Sequence, residues 1–105
     1  PMFRGILTTI YLDLKKNNSL KKIYSFLKKY YKNNKFIKIL KPNTFLGTNE
    51  VINTNNCHIS VCESKYKNKI IILSAIDNLI KGGSGQAIQN MNILFGYKSD
   101  EGLNL

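Results

Sequence analysis

Lys81-Gly82-Gly83-Ser84-Gly85 is the stretch of this sequence best suited to holding a ligand. It lies between an apolar, strand-like run and a helical stripe. Small residues there let a ligand approach the backbone, and the start of a helix turns unpaired amide donors outward. An anion or a polar cofactor group docks on such a segment, and the same glycines equally serve close packing of helix on sheet. The spacing matches neither the six-residue dinucleotide fingerprint nor a phosphate loop, which needs Gly-Lys-Ser or Gly-Lys-Thr. Just upstream, Asp77 and Asn78 either cap that helix or reach a ligand with a side chain.

Other reactive residues fall short of a catalytic set. His58 adjoins Cys57, but neighbouring strand residues point to opposite faces and cannot form a nucleophile–base dyad. The six carboxylates, Asp13, Glu50, Glu63, Asp77, Asp100 and Glu101, are scattered and offer no paired acid–base site by spacing. One histidine and two cysteines without Cys-x-x-Cys spacing do not make a metal centre or a disulfide framework, so reduced thiols in a cytosol-like compartment are expected. Catalytic and metal-binding residues are therefore both expected to be absent from this chain.

The elements that must position the 77–85 stretch can be read from periodicity. Phe3 to Leu14 is β-branched and aromatic with partial alternation, which predicts a strand covered on both faces. Asn17, Asn18 and Ser19 are candidate N-caps for an amphipathic helix whose apolar stripe is Leu20, Ile23, Tyr24, Leu27, Tyr30 and Tyr31, with lysines opposite. Phe36 to Leu40 reads as a second strand and Pro42 to Asn56 as a long loop able to approach a ligand or partner. Cys57 to Cys62 and Lys69 to Ile76 should form a strand pair across a polar turn. Ser84, Ala87, Ile88, Met91 and Phe95 trace a last helical stripe that Gly96 ends. The order β-α-β-β-β-α implies an α+β fold with a mostly antiparallel sheet covered by the first helix.

At 105 residues the chain holds one modest core, and 43% hydrophobic with 21% charged residues excludes wholesale disorder. The longest apolar runs, such as Ile70 to Leu73, are far short of the roughly 20 residues a spanning helix needs, so no membrane partner is expected. A chain opening on proline with no basic and apolar leader reads as a piece of something longer. The net charge of +10 raises nucleic acid as a partner. Yet Lys, Asn and Ile together supply 43 residues and Arg4 is the single arginine, which points to A- and T-rich codons and solvated lysine faces more than to nucleic-acid recognition.

The stretch Ile76-Asp77-Asn78-Leu79-Ile80-Lys81-Gly82-Gly83-Ser84-Gly85-Gln86-Ala87-Ile88-Gln89 resembles the D-N-L-x-K-G-A-A-x-Q-A-x-Q ending of N-acetyl-gamma-glutamyl-phosphate reductases. Pro1-Met2-Phe3-Arg4-Gly5-Ile6-Leu7 is similar to the family's P-x-x-R-G-I-L segment, and Val51 through Cys57 to Ile59 to its V-x-G-S-N-x-C-x-I strand entry. Gly83 and Ser84 replace the usual alanine pair, and Asn53 stands where the family prefers glycine.

The resemblance implies an NADP-dependent reductase of arginine biosynthesis, in which a thiolate and an acyl phosphate react and hydride passes between a nicotinamide and the thioester. It implies that residues 1–76 belong to the substrate and dimerisation domain, and that 77–105 form a cofactor-bordering loop and a helix returning to a Rossmann-type nucleotide domain. The catalytic cysteine and a histidine-bearing segment would precede Pro1. By the same resemblance Asn78, Lys81, Gly82 and Gly83 border the cofactor, and Arg4 is the expected ligand of the substrate phosphate. A homo-oligomer is expected. The rival readings are a related semialdehyde dehydrogenase or carrier-bound acyl-phosphate reductase, a basic RNA-binding module using Tyr24, Tyr30 and Tyr31, and a non-catalytic interaction fragment.

Overall fold

A computed structural model of the chain describes residues 2–105; Pro1, the first residue of the segment around Arg4, lies outside the described residues. Four strands, β1 (Ile6–Asp13), β2 (Ile37–Ile39), β3 (Cys57–Glu63) and β4 (Lys69–Ile76), form one sheet in the order β1-β4-β3-β2. Helix α1 spans Leu20–Tyr30 and helix α2 spans Gly85–Leu94. The α+β class and the predominance of antiparallel pairing agree with expectation.

The register follows from the connections. β3 and β4 are joined by a short polar turn and pair antiparallel from Cys57↔Ile76 to Glu63↔Ile70. β1 pairs antiparallel with the other side of β4, from Ile6↔Ile76 to Asp13↔Lys69. β2 runs parallel to β3, which a tight hairpin cannot achieve; the long 40–56 connection is the crossover such a pair requires. β1 starts later than the apolar pattern predicts because Gly5 sits at φ +106°, a left-handed conformation that ends an extended run.

Ser19 caps α1 by accepting the Lys22 N–H at 3.3 Å. The helix lies against β2 and β3, with Tyr31 beside Ile37 and Ile39. The opposite face is covered by the 40–56 connection, whose Leu46 and Val51 meet Ala75, flanked by Leu40 and Leu73. The expected loop is thus half of the core. Phe36 and Val61 are also fully buried.

One expectation is overturned here. β1 is exposed along its whole length, because α1 and the 40–56 connection both sit over the other half of the sheet and β1 has a single neighbour. The apolar stripe of α2 faces outward: Ile88, Met91 and Phe95 are exposed, while Gly85, Gln89 and Asn92 are buried. Hydrogen bonds hold that orientation, since the Asn92 amide donates to the carbonyl of Glu101 at 2.9 Å and Gln89 Oε1 accepts from Asn55 and Lys81. Gly96 stops α2 as expected, at φ +75°. Its N–H bonds the Ile93 carbonyl and that of Tyr97 bonds the Asn92 carbonyl, the paired bonds of a glycine-terminated helix.

Candidate functional site

Between β4 and α2 the chain makes a π-helical turn, Ile80–Ser84, closed by i→i+5 bonds such as Gly82 N–H to the Asp77 carbonyl and Ser84 N–H to the Leu79 carbonyl. Gly83, at φ −149° and ψ −114°, breaks the helical run so that the turn and α2 are separate pieces. The stretch expected to hold a ligand therefore has a defined shape.

Asp77 anchors it. Its carboxylate has no solvent exposure, accepts three backbone N–H groups and pairs with one guanidinium. Oδ1 accepts from the N–H of Leu79 at 2.8 Å and of Ile80 at 3.0 Å, and Oδ2 accepts from the N–H of Asn53 at 2.8 Å. Arg4 Nε lies 2.8 Å from Oδ2. That last contact is short, but its N–H is not aligned on the oxygen, so it is an ion pair more than a directed hydrogen bond. Burial pushes the Asp77 carboxyl up, but the Asn53 amide, the Arg4 guanidinium and the Leu79 and Ile80 amides together hold it below the usual carboxylate range.

Asn78 does not cap the turn; Asp77 does, and α2 itself has no side-chain cap. The Asn78 Oδ1 accepts the N–H of Gly5 at 2.7 Å, and among the described residues nothing accepts from its Nδ2. The dipeptides Arg4-Gly5 and Asp77-Asn78 thereby clasp each other at the end of the β1–β4 pair. Gly5 is required there, since a Cβ would lie 2.6 Å from that of Thr48.

The Lys81 side chain is engaged within the chain. Its ammonium donates to Gln89 Oε1 at 2.8 Å and lies 5.2 Å from the centroid of the Phe36 ring. Burial lowers its pKa, and the nearby Cys57 opposes that shift. Gln89 Oε1 also accepts from Asn55 Nδ2 at 3.0 Å, so Lys81 and Asn55 pin the first turns of α2 from two sides. Gly82 and Gly83 are exposed; a Cβ on Gly82 would approach Ile76 Cδ1 at 3.3 Å and the Asp77 carbonyl at 3.6 Å, and one on Gly83 the Asn78 carbonyl at 3.4 Å. For a dinucleotide, the free amide of Asn78 and the open backbone of Gly82 and Gly83 fit. The Lys81 ammonium, already engaged inward, is not placed to meet a phosphate.

The structure thus brings Arg4 and Asn78 together and sets Gly82 and Gly83 on the same turn, while Lys81 belongs to the packing beneath. Sequence reading missed Asn53, Asn55 and Gln89. One signal was present: Asn53 has φ +64°, a left-handed position where glycine or asparagine is tolerated, which accounts for asparagine standing in a glycine position. Cys57 and His58 do not meet, as expected from their strand positions. Cys57 Sγ lies 3.5 Å from Ser74 Oγ, whereas His58 is buried on the other face with Nε2 unpaired. Burial and Lys38 lower the His58 pKa, with Glu50 opposing. No His, Cys, Asp and Glu group able to hold a metal exists among the described residues, and no helix there is long and apolar enough to cross a membrane.

Residues 1–78 match the family described as semialdehyde dehydrogenase, dimerisation domain. The chain is 54% identical over all 105 residues to an N-acetyl-gamma-glutamyl-phosphate reductase of Vesicomyosocius okutanii, covering 29% of that protein. It is 47% identical, again over its full length, to the enzyme of that name from Thermoanaerobacter pseudethanolicus, and 48% identical to one from Clostridium botulinum, covering 30% of each. The chain spans less than a third of the length of these curated relatives.

Proposed function

The chain belongs to the semialdehyde dehydrogenase dimerisation-domain family, and on that premise we propose that it is the C-terminal portion of an NADP-dependent reductase that converts N-acetyl-glutamyl phosphate to the semialdehyde in cytoplasmic arginine biosynthesis. Residues 1–76 serve the substrate and dimerisation domain. Residues 77–105 border the cofactor and carry α2 back toward a nucleotide-binding domain of the same polypeptide, with the outward stripe of Ile88, Met91 and Phe95 as its contact. The whole assembles as a homo-oligomer.

The observation that carries this reading is the clasp of Arg4-Gly5 with Asp77-Asn78, which puts a guanidinium and a free amide at one end of the sheet, beside an open glycine turn. Arg4 suits the substrate phosphate because its planar fork matches an anion's paired oxygens. Asn78 Nδ2 donates to an acceptor of the nicotinamide carboxamide or a ribose hydroxyl, and the backbone at Gly82 and Gly83 lets the cofactor lie close. The nicotinamide supplies or receives the hydride when bound. No residue pair of this chain provides a thiolate with an acid–base partner, so acyl transfer rests on residues outside it.

The test is phosphate-dependent NADP reduction with the N-acetylated semialdehyde. The full-length protein carrying this segment turns over, and the 105-residue chain alone does not. Replacing Asn78 with Ala in the full-length protein lowers cofactor affinity by roughly 5- to 150-fold, the worth of one unpaired polar partner. Turnover by the isolated chain, or unchanged cofactor affinity on Asn78→Ala, would refute the corresponding assignment.

A further inference from the structure

We propose that Asp77 is a positioning residue for anion recognition: it holds the Arg4 guanidinium by Nε so that the two terminal nitrogens are presented as a fork to the substrate's phosphoryl group. This rests on the reading of Arg4 as phosphate ligand.

A carboxylate with no solvent exposure keeps its charge only when fully paired, and Asp77 is. Its three donors are backbone amides from two separate segments, Asn53 of the 40–56 connection and Leu79 and Ile80 of the turn. Amides held by the fold fix the plane of the carboxylate, so the fourth contact, Arg4 Nε at 2.8 Å from Oδ2, is made to a rigid anchor. The neighbouring residue is fixed in the same way, by the Gly5 N–H on Asn78 Oδ1. Arg4 retains 23% exposure of its side chain, so the guanidinium is tethered and still reachable.

Arginine is the one cation for this arrangement. Guanidinium carries five N–H donors in a planar fork, so an ion pair made at Nε leaves the terminal nitrogens for a second anion. A lysine ammonium is a single point charge that Asp77 would hold for itself. This gives a physical reason for the chain's lone arginine to stand here, among 15 lysines elsewhere.

The test is steady-state kinetics of the full-length protein in the phosphate-dependent direction, with Arg4→Ala, Arg4→Lys, Asp77→Asn and the Asp77→Asn/Arg4→Ala double variant. Arg4→Ala is expected to raise KM for inorganic phosphate about 10- to 100-fold and to leave KM for NADP within about twofold. Arg4→Lys should fail to rescue despite keeping the charge. Asp77→Asn should raise KM for phosphate comparably, and the double variant should be no worse than Arg4→Ala, since both changes remove one device. If Asp77→Asn does not fold, Arg4→Lys decides alone. An unchanged phosphate KM in Arg4→Ala overturns the phosphate-ligand reading and this proposal with it. A large effect of Arg4→Ala combined with full rescue by lysine, or with additive effects of Asp77 and Arg4, overturns this proposal alone.

Discussion

Replacing Gly85 with Ala sets two physical effects against each other at the start of α2. Helix propensity alone favours Ala by about 0.5–1 kcal/mol, because glycine loses more backbone entropy on folding. Packing opposes it. A Cβ there would lie 2.5 Å from Ile80 Cγ2, 2.6 Å from Asn55 Oδ1 and 2.8 Å from the Ile80 carbonyl oxygen. None of these yields easily. The carbonyl is backbone and already accepts the Gly85 N–H, and Asn55 is fully buried and bonded to Gln89. Overpacking of this kind costs about 1–3 kcal/mol, and a displaced Asn55 loses a further ~1 kcal/mol of hydrogen bonding. The expected net destabilisation is about 2 kcal/mol, or a fall in Tm on the order of 8–16 °C. Gly47 is the control, since its Cβ would meet nothing within 4 Å and its φ is not left-handed. Gly47→Ala is expected to stabilise by about 0.4–1 kcal/mol through the unfolded chain. Urea unfolding followed by circular dichroism, at one fixed protein concentration, measures both. A Gly85→Ala protein as stable as the parent or more so would refute the packing argument.

Stability should fall as pH drops below about 6.5, because His58 is held neutral in the folded state while the unfolded chain binds a proton. The slope contributed is at most ~1.4 kcal/mol per pH unit, and His58→Leu should flatten the urea midpoint between pH 7.5 and 5; an unchanged slope would disprove it. The chain should self-associate, since it exposes 7477 Å² where a compact monomer of 12.0 kDa exposes about 6,000 Å². Light scattering checks this, and a monomer at all concentrations would count against it. Asp77→Asn should destabilise the fold by roughly 3–5 kcal/mol, because an amide nitrogen would face two of the donors that the carboxylate now satisfies, and calorimetry showing under about 1 kcal/mol would contradict the geometry.

Elements with strong local signals were legible. Ser19 as an N-cap, the α1 stripe apart from the exposed Tyr30, Gly96 as a helix stop and the β3–β4 pair all follow from short-range chemistry. Burial was not legible in the same way. The pattern of β1 says that its residues prefer cover, but position at a sheet edge decides whether the chain itself supplies it. In α2 the apolar stripe was legible as a face, but that the opposite face is held to this chain by two buried amides, Gln89 and Asn92, was not, because their partners lie outside the helix. The candidate site was located by the Lys81–Gly85 pattern and by resemblance. What sequence could not show is which of two adjacent side chains, Asp77 or Asn78, caps the turn, because that depends on Gly5 and Asn53 arriving from distant segments.

The clasp between Arg4-Gly5 and Asp77-Asn78 joins positions 73 residues apart. It sits at the end of the β1–β4 pair, whose register runs from Asp13↔Lys69 to Ile6↔Ile76. Contacts this remote in sequence carry a loop-closure cost before they return anything, so they form late and slowly. During synthesis the guanidinium and its carboxylate cannot meet until the chain beyond Ile76 has emerged. The clasp therefore depends on the native register, and a misregistered β1 would separate Arg4 from Asp77 and Gly5 from Asn78.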